Sequence, residues 1–254
     1  MRLLRAEQIV KIYGDKRGVG ATTALNGVSL TITKGEFVAI MGPSGSGKTT
    51  LLNLLSGIDK PTSGFVALSG VEISRMTGDE LALFRRKQLG FVFQDFNLLD
   101  SLTVKENIIV PMVLEGKSSS EMDNKVDELL HLFGISHIAN KYPYEISGGQ
   151  QQRVAVSRAL VNEPAMIFAD EPTGNLDSTS SETIMESFEK IVSTYETTIL
   201  VVTHDVFAAS YCQKVVFIKD GNIHSTLAKK GDRKEFLHQI MDNLAVLGGK
   251  SHDF

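Results

Sequence analysis

The apolar residues of the chain fall into two patterns, one typical of strands and one typical of helices. Near the N-terminus, apolar and polar residues alternate over residues 24–32, and an unbroken apolar run follows at Phe37–Met41. Alternation with a period of two predicts a strand with one buried face, whereas a short unbroken run predicts a strand buried on both faces. Further short apolar runs that predict buried strands lie at Leu89–Phe93, Met166–Ala169, Thr198–Val202 and Val215–Lys219.

Helical periodicity occupies the segments between these strands. Ser118 with Glu121, and Thr103 with Glu106, fit the capping box that starts a helix. The first box precedes apolar residues at helical spacing, and the second precedes a helix that Pro111 is expected to kink or end. We predict further helices from Thr49 to a stop at Gly57, from Gln150, and from a capping box formed by Thr179 and Glu182.

The order of these elements predicts the fold class. Strands that alternate with helices favour an α/β fold, in which helices cover both faces of a parallel sheet. Residues near 95–160 are predicted to form a helical insertion. Arg233–Leu247 has the apolar spacing of an amphipathic helix, which we expect to dock on the protein core rather than on a membrane.

The composition limits the function classes that fit the chain. It has 254 residues, a formal net charge of −4 and a single cysteine, Cys212. The slight acidity predicts no broad electrostatic surface for nucleic acid, and one cysteine excludes a disulfide framework or a cysteine-rich zinc site. The start of the chain lacks the apolar stretch of a signal peptide, and no apolar run approaches the roughly 20 residues that cross a bilayer. We therefore expect a cytosolic protein that reaches a membrane only through a partner.

A glycine-rich segment, Gly42–Thr49, carries the strongest chemical signal because it fits the pattern G-x-x-x-x-G-K-[ST]. Its glycines allow a tight turn whose backbone N–H groups point at phosphate oxygens, and the following helix adds its positive N-terminal end. Lys48 is predicted to bind the β- and γ-phosphates of ATP, and the Thr49 hydroxyl to bind Mg²⁺. A glycine-rich turn without a ligand is the alternative, which the position between a buried strand and a helix disfavours. The nucleotide-binding residues predicted in this P-loop are Gly42, Pro43, Ser44, Gly45, Ser46, Gly47, Lys48, Thr49 and Thr50.

Polar residues follow three of the predicted strands. Asp170 and Glu171 are adjacent, and because ligands of open α/β sheets bind beyond the carboxyl ends of strands, we expect Asp170 to hold Mg²⁺ through water. Glu171 is the predicted general base toward an attacking water; the alternative is a solvated acidic turn before Pro172. His204 is expected to contact the γ-phosphate, the alternative being a purely structural histidine. Gln94 is a candidate catalytic residue through contact with the metal or with the attacking water.

A second glycine turn lies at Ile146–Gln150, with the sequence ISGGQ. Ser147 fits an N-cap, Gly149 allows close approach of the backbone, and the residues from Gln150 open a helix. This geometry predicts another anion site, far along the chain from the first. Because one nucleotide rarely needs two such sites in one subunit, we expect a second copy of the chain to complete the site.

With all of these motifs present, the chain resembles the ATP-binding-cassette (ABC) ATPases over essentially its whole length. Ile146–Gln150 is similar to their LSGGQ signature, with Ile in place of Leu. The resemblance implies one domain with a P-loop nucleoside-triphosphatase core sheet and an N-terminal antiparallel β subdomain, over residues 1–94 and 161–254. It further implies an inserted helical subdomain over residues 95–160 and a C-terminal amphipathic helix over residues 232–248.

The resemblance also implies roles for individual residues. Two copies of such ATPases clamp two ATP molecules head to tail, so that the P-loop of one copy faces the signature of the other. By resemblance, Tyr13 stacks on adenine, although a tyrosine at a strand edge is the plain alternative. Asn175–Asp177 is similar to a loop that contacts the opposite site. Gln94 would report to the membrane partner, and His204 would be the switch histidine. The residues that would bind the nucleotide of the other copy are Ser147, Gly148, Gly149 and Gln150.

Longer segments resemble one branch of the family. Asp170–Asp177 is similar to ATPases of lipoprotein-release, cell-division, macrolide and peptide-antibiotic systems, and Gln94–Asn107, Ala208–Cys212 and Ala245–Gly249 are most similar to ATPases of the bacitracin-export type. That resemblance implies an ATPase using ATP and Mg²⁺ at the cytoplasmic face of the membrane. Its partners would be an integral membrane permease and, through the permease, a sensor histidine kinase. The implied function is the removal or export of antimicrobial peptides of the bacitracin or nisin kind, which confers resistance to them.

Three other functions are alternatives to peptide removal or export. In lipoprotein release or cell division, the same ATPase would do mechanical work without moving a solute. A soluble ABC ATPase acting on nucleic acid or ribosomes is disfavoured by the net charge, the single cassette and the lack of a coiled-coil insertion or basic tail. A pure sensor, whose ATPase cycle signals drug flux to a kinase, is compatible with transport.

Overall fold

Ten strands and eight α-helices make up the computed structural model, which describes residues 1–14 and 20–247. The strands are β1 (Arg2–Tyr13), β2 (Thr22–Thr33), β3 (Phe37–Met41), β4 (Ser63–Leu68), β5 (Val71–Glu72), β6 (Leu89–Phe93), β7 (Met166–Asp170), β8 (Thr198–Val202), β9 (Lys214–Lys219) and β10 (Asn222–Ala228). The helices are α1 (Lys48–Leu55), α2 (Gly78–Gln88), α3 (Val104–Leu114), α4 (Ser119–Leu132), α5 (Gly148–Leu160), α6 (Ser178–Tyr195), α7 (Val206–Ser210) and α8 (Arg233–Leu247).

The strands form two separate sheets. One is antiparallel, with the order β2-β1-β4-β5, and the other has the order β10-β9-β3-β8-β7-β6. The last five strands of the second sheet are parallel, and β10 pairs antiparallel with β9. The predicted α/β fold with an additional antiparallel sheet is therefore confirmed. The edge strand β10 was missed, because polar residues and a register shift interrupt its alternation.

The carboxyl ends of four parallel strands align at one edge of the second sheet. Ile40 of β3 and Asp170 of β7 both pair with Val202 of β8, and Asp170 also pairs with Phe93 of β6. The segments that follow these strands therefore start side by side. Four of the predicted site segments are brought together in this way, although 162 positions separate the first from the last in the sequence.

Both faces of the second sheet are covered. Along β3, Phe37, Ala39 and Met41 face a core shared with α3 to α8, while Val38 and Ile40 face a core shared with α1 and the antiparallel sheet. All five side chains are at most 1% exposed. A strand between two cores needs an apolar residue at every position, which explains the unbroken apolar run of β3.

Several helix ends differ from the sequence prediction. α1 begins at Lys48 and α5 at Gly148, one and two residues before the predicted starts. The prediction that Pro111 could end its helix was wrong, since α3 continues to Leu114. Pro111 lies in the last turns of α3 and removes one backbone hydrogen bond, while the buried Ile108 and Met112 hold the helix on the core.

The predicted start of α6 was also wrong. The helix begins at Ser178, and its cap is Asp177 rather than a box of Thr179 and Glu182. Asp177 Oδ1 accepts a hydrogen bond from Ser180 N at 3.0 Å, and Oδ2 accepts one from Ser180 Oγ at 2.7 Å. An aspartate caps a helix as well as a threonine does, so the residue two positions upstream satisfies the first free N–H groups.

The C-terminal helix α8 packs on the core, as predicted. Phe236, Ile240 and Leu247 are buried, and the Arg233 guanidinium lies 4.3 Å from the centre of the Tyr211 ring. Residue 248, the predicted end of this helix, and the residues 248–249 of the bacitracin-export-like tail lie outside the described residues. Across residues 1–14 and 20–247, no helix has the length and apolar character needed to span a bilayer.

Asn107, fully buried in the first turn of α3, uses its whole side-chain amide. Its Oδ1 accepts from Leu99 N at 2.8 Å, and its Nδ2 donates to the carbonyl oxygens of Leu99, Leu102 and Thr103, each at 3.0 Å. We expect Asn107→Ala to lower the free energy of unfolding by about 1–3 kcal/mol, because backbone groups lose their partners. Denaturant unfolding measures the change, with Asn124→Ala on the exposed surface of α4 as the control. Equal stability of the two variants would contradict the prediction.

Candidate active site

Close packing fixes the shape of the P-loop. A Cβ at Gly42 would lie 2.1 Å from the carbonyl oxygen of Ile218, and one at Gly47 would lie 2.6 Å from a backbone oxygen of β2. Gly47 also has a φ of 100°, in the left-handed region that favours glycine. The Lys48 Nζ donates to the carbonyl oxygens of Gly42 (2.9 Å) and Pro43 (3.0 Å). The ammonium therefore lies beside the turn, where phosphate oxygens are expected.

The remaining P-loop residues lie in this turn and in the first turn of α1. Ser44, Gly45 and Ser46 precede the helix, and Thr49 and Thr50 lie at its N-terminal end. Ser46 Oγ is buried and has no hydrogen-bond partner among the described residues. A buried hydroxyl without a partner costs free energy, so this turn is suited to a ligand that offers hydrogen-bond acceptors.

Asp170, at the end of β7, is suited to a cation. Its Oδ1 is buried and without a hydrogen-bond partner in the described part of the chain. Burial, and then the charge of Glu171, raise the pKa of Asp170, whereas the charge of Lys48 lowers it. An ion such as Mg²⁺ prefers oxygen ligands and would offset both unfavourable effects. The predicted metal ligands are side-chain oxygen atoms of Thr49, Gln94 and Asp170, which is the type of ligand that Mg²⁺ prefers.

Glu171 and His204 form a hydrogen-bonded pair at the ends of β7 and β8. Glu171 Oε1 lies 2.9 Å from His204 Nδ1, and Oε2 accepts from His204 N at 3.3 Å. The backbone of Glu171 has a φ of 46°, and its N–H donates to Val202 O at 2.8 Å. A left-handed conformation costs free energy for a residue with a side chain and is concentrated at functional sites. This geometry is compatible with the predicted role of Glu171 as general base.

Gln94 is connected to the turn that follows Glu171. Its Nε2 donates to Asn175 Oδ1 at 3.2 Å, while Asn175 Nδ2 donates to Gln94 O at 3.1 Å and to Asp95 Oδ1 at 2.9 Å. A Cβ at Gly174 would lie 3.0 Å from the Gln94 side chain. Asn175 was predicted only as part of the loop that contacts the opposite site, and its hydrogen bonds with Gln94 were missed because nothing local indicates a partner 81 positions away.

The segment after Gln94, here called the Gln94 loop (residues 94–99), is fixed by the helix that carries the signature. Phe96 and Asn97 have φ values of 60° and 49°, and the guanidinium of Arg158 in α5 donates to their carbonyl oxygens at 2.9 and 2.6 Å. Burial lowers the pKa of Arg158, and the two carbonyl oxygens stabilise its positive charge by accepting hydrogen bonds. Arg158 therefore joins α5 to the Gln94 loop, a contact that sequence reasoning missed.

The signature residues form the rigid start of α5. Gln150 N donates to Ser147 Oγ at 3.4 Å and Ser147 N donates to Gln150 Oε1 at 3.0 Å, a reciprocal capping box. A Cβ at Gly149 would lie 2.5 Å from Ser180 Oγ, so packing against α6 requires glycine there. Gly148 lies beside the Gln94 loop and the turn after Glu171. Within residues 1–14 and 20–247, no hydrogen bond connects the signature to the P-loop.

Tyr13 lies at the end of β1, opposite Thr22 of β2. Two residues further along β2, the backbone oxygen of Ala24 approaches Gly47 of the P-loop. The tyrosine is 43% exposed, and its hydroxyl donates to Asp59 Oδ2 at 3.1 Å. Asp177, predicted to contact the opposite site, has its carboxylate engaged in the cap of α6.

We expect Asp170→Asn to leave the ATP-free protein at least as stable as the wild type, but to remove the stabilisation that Mg²⁺ and ATP provide. Because folding raises the pKa of Asp170, its ionised form disfavours the folded state. This effect is absent below the ordinary pKa and fully present above the raised value. Thermal unfolding with and without Mg²⁺ and ATP measures both expectations, with the exposed Asp242→Asn as the control. Marked destabilisation of the ATP-free variant, or an unchanged shift on adding Mg²⁺ and ATP, would contradict the prediction.

Residues 25–174 match the protein family described as ABC transporter. The bacitracin export ATP-binding protein BceA of Halalkalibacterium halodurans is 48% identical over 255 residues, which cover 100% of each chain. The lipoprotein-releasing system ATP-binding protein LolD of Aquifex aeolicus is 46% identical over 221 residues, which cover 87% of this chain and 96% of LolD.

A solved structure is similar in fold and in sequence. It is described as the dimeric structure of a post-hydrolysis state of the ATP-binding cassette MJ0796 bound to ADP and Pi. Its TM-score to this protein is 0.82 at 39% identity, and the match covers 90% of this chain and 100% of that one. The two-sheet arrangement with helical parts is thus that of an ATP-binding cassette.

Proposed function

Because the chain belongs to the ABC transporter ATP-binding family, we propose that it powers a membrane permease that removes or exports antimicrobial peptides of the bacitracin or nisin kind. ATP hydrolysis is an activity of this family, so the proposal concerns the work that hydrolysis drives. The observation that carries it is the similarity to a bacitracin export ATPase along 100% of both chains. The match to a lipoprotein-releasing ATPase is nearly as identical but covers 87% of this chain.

The residues at the sheet edge would act in sequence on ATP. The P-loop N–H groups and Lys48 would bind the triphosphate, and Glu171 would accept a proton from water as the water oxygen attacks the γ-phosphorus. The bond from that phosphorus to the bridging oxygen then breaks, which leaves ADP and phosphate. His204 would hold the Glu171 carboxylate and contact the γ-phosphate. When bound, Mg²⁺ would neutralise charge on the phosphate oxygens.

The active unit in this proposal is a head-to-tail dimer. The solved cassette is described as dimeric. In this chain Ser147, Gly148, Gly149 and Gln150 form a rigid helix start whose hydrogen bonds are made within α5 and not with the P-loop of the same copy. These four residues would bind the triphosphate of the second copy, since a helix N-terminus attracts anions.

A groove beside the Gln94 loop is the proposed site for the permease, at the cytoplasmic face of the membrane. The groove has a volume of about 520 Å³, and α2, β6, α3 and α5 form its walls. Phe93 and Asn97, on either side of Gln94 in the chain, both line it, together with Arg158. A permease segment in this groove would contact the loop that also reaches the metal site. A sensor histidine kinase reached through the permease remains a prediction.

The function is tested by peptide susceptibility of cells that express the permease with either the wild-type ATPase or Glu171→Gln. We expect the variant to sensitise cells to bacitracin- and nisin-like peptides and to leave susceptibility to antibiotics with intracellular targets unchanged. Glu196→Gln, a change at an exposed residue paired with Lys34, is the matched control. Unchanged peptide susceptibility, with the permease shown to be expressed, would overturn the proposal and favour lipoprotein release or cell division.

A further inference from the structure

The ammonium group of Lys11 is held by three oxygen atoms next to the predicted adenine site. Its Nζ lies 2.8 Å from Asp59 Oδ1, 2.7 Å from Asp59 Oδ2 and 2.8 Å from the carbonyl oxygen of Lys60. The contacts with Asp59 Oδ1 and Lys60 O are hydrogen bonds, and the short distance to Oδ2 completes an ion pair with the carboxylate. The Lys11 side chain is only 12% exposed. A cation that is largely withdrawn from water and paired with a carboxylate has a more fixed position than most surface lysines.

The same cluster fixes the ring of Tyr13. The Lys11 Nζ lies 4.8 Å from the centre of that ring, within cation–π distance, and the Tyr13 hydroxyl donates to Asp59 Oδ2. Although burial alone would raise it, hydrogen bonds from Lys11, Lys60 and Tyr13 lower the pKa of Asp59, so these contacts favour its ionised form. The ring is thus held at its hydroxyl and over one face, while the residue stays 43% exposed.

Asp59 belongs to the segment that ends the P-loop helix. The backbone N–H groups of Ile58 and Asp59 both donate to Asn53 O in the last turns of α1, at 2.9 and 3.1 Å. The position of Asp59 is therefore tied to α1, whose other end carries Lys48. Because Tyr13 is held by Asp59, the ring is positioned relative to the same helix that would bind the phosphates.

We propose that Lys11 and Asp59 are positioning residues that hold the Tyr13 ring for stacking on the adenine base of ATP. This inference rests on the proposed function as an ATPase and on the predicted role of Tyr13 as the adenine-stacking residue. The ammonium lies over one face of the ring, so the base would stack on the opposite face. A ring that is already ordered loses less conformational entropy when the base binds, so the cluster strengthens base binding without touching the nucleotide.

The test compares nucleotide binding with the binding of inorganic tripolyphosphate, which lacks the base, to the purified full-length protein in Mg²⁺. We expect Lys11→Met to raise the Kd and the KM for ATP about fivefold, the scale of one cation–π contact, with little change in kcat. The affinity for tripolyphosphate should stay at the wild-type value. Lys11→Arg should restore ATP binding, because a guanidinium also pairs with a carboxylate and stacks over an aromatic ring. Lys34→Met, which removes an exposed lysine paired with Glu196, is the matched control.

The outcomes separate this proposal from the adenine site itself. If Tyr13→Ala weakens ATP but not tripolyphosphate binding, and Lys11→Met changes neither, the adenine site stands and the positioning role is wrong. If Tyr13→Ala leaves ATP binding unchanged, the adenine site and the positioning role both fail. Equal losses for ATP and tripolyphosphate in Lys11→Met would also overturn the positioning role. Should Lys11→Met fail to fold, Tyr13→Phe removes only the hydroxyl contact with Asp59, and a weaker ATP affinity with unchanged tripolyphosphate affinity is then required.

Discussion

Replacing Glu171 by Gln is expected to reduce ATP turnover by about 10²–10⁴ while ATP binding persists, the scale for loss of a general base. The amide oxygen can still accept from His204 N, as Glu171 Oε2 does at 3.3 Å, so the local structure should be kept. An amide cannot take the proton from the attacking water. The variant would therefore bind ATP and hold it without completing hydrolysis.

Phosphate release at saturating ATP measures the turnover, and equilibrium binding of ATP measures the affinity. Glu196→Gln is the control, since that glutamate is exposed and pairs with Lys34 on another surface. We expect the control to hydrolyse ATP at the wild-type rate. Normal turnover by Glu171→Gln would show that another group accepts the proton, and loss of ATP binding would show that the carboxylate has a different role.

Two inactive variants are expected to restore activity when they are mixed. Lys48→Met removes the phosphate-binding charge, and Ser147→Arg blocks the signature turn; each should lower hydrolysis by about 10²-fold or more when all copies carry it. In a head-to-tail dimer of one copy of each variant, one composite site has an intact P-loop and an intact signature. Random pairing in an equal mixture leaves about a quarter of all sites intact, because half of the dimers are mixed and each has one good site.

The gain in hydrolysis per total protein, measured against each variant alone, tests the composite site. A mixture of Lys48→Met with the double variant Lys48→Met/Ser147→Arg contains no intact P-loop and serves as the control. We expect no recovery in that mixture. If the first mixture also stays inactive while dimers of the two variants form, each copy would use its own signature, and the head-to-tail arrangement would be refuted.

Some parts of this site and of its helices could be predicted from the sequence, and others could not. Gly42–Thr50 was recognisable because its function depends on consecutive backbone groups in one turn, and that arrangement leaves a fixed spacing. The capping boxes of Ser118 and Thr103 were also found, since their hydrogen bonds join residues three apart. The start of α6 was misassigned because Asp177 and Thr179 are both good caps, and only the path of the incoming chain decides between them.

Contacts between distant segments of the chain produce no fixed spacing of residues in the sequence. Arg158 bonds two carbonyl oxygens more than 60 positions away, and Asn175 bonds Gln94 across 81 positions. Lys11 and Asp59 are 48 positions apart and look like ordinary surface charges in the sequence. The pairing of these residues could not be inferred until the chain was folded, even where one of them, such as Gln94, belongs to a recognisable segment.

Local sequence patterns were enough to predict the secondary structure of the strongly periodic segments, the α/β class and the P-loop, because each depends on interactions between neighbours in the chain. Three features became visible only in the folded chain: which strand ends meet, the left-handed backbone of Glu171 beside His204, and the close packing of Gly149 against Ser180. These features depend on the order of strands in the sheet and on the packing of α5 against α6. Such contacts form only after long segments of chain close, and nothing in the spacing of nearby residues specifies them.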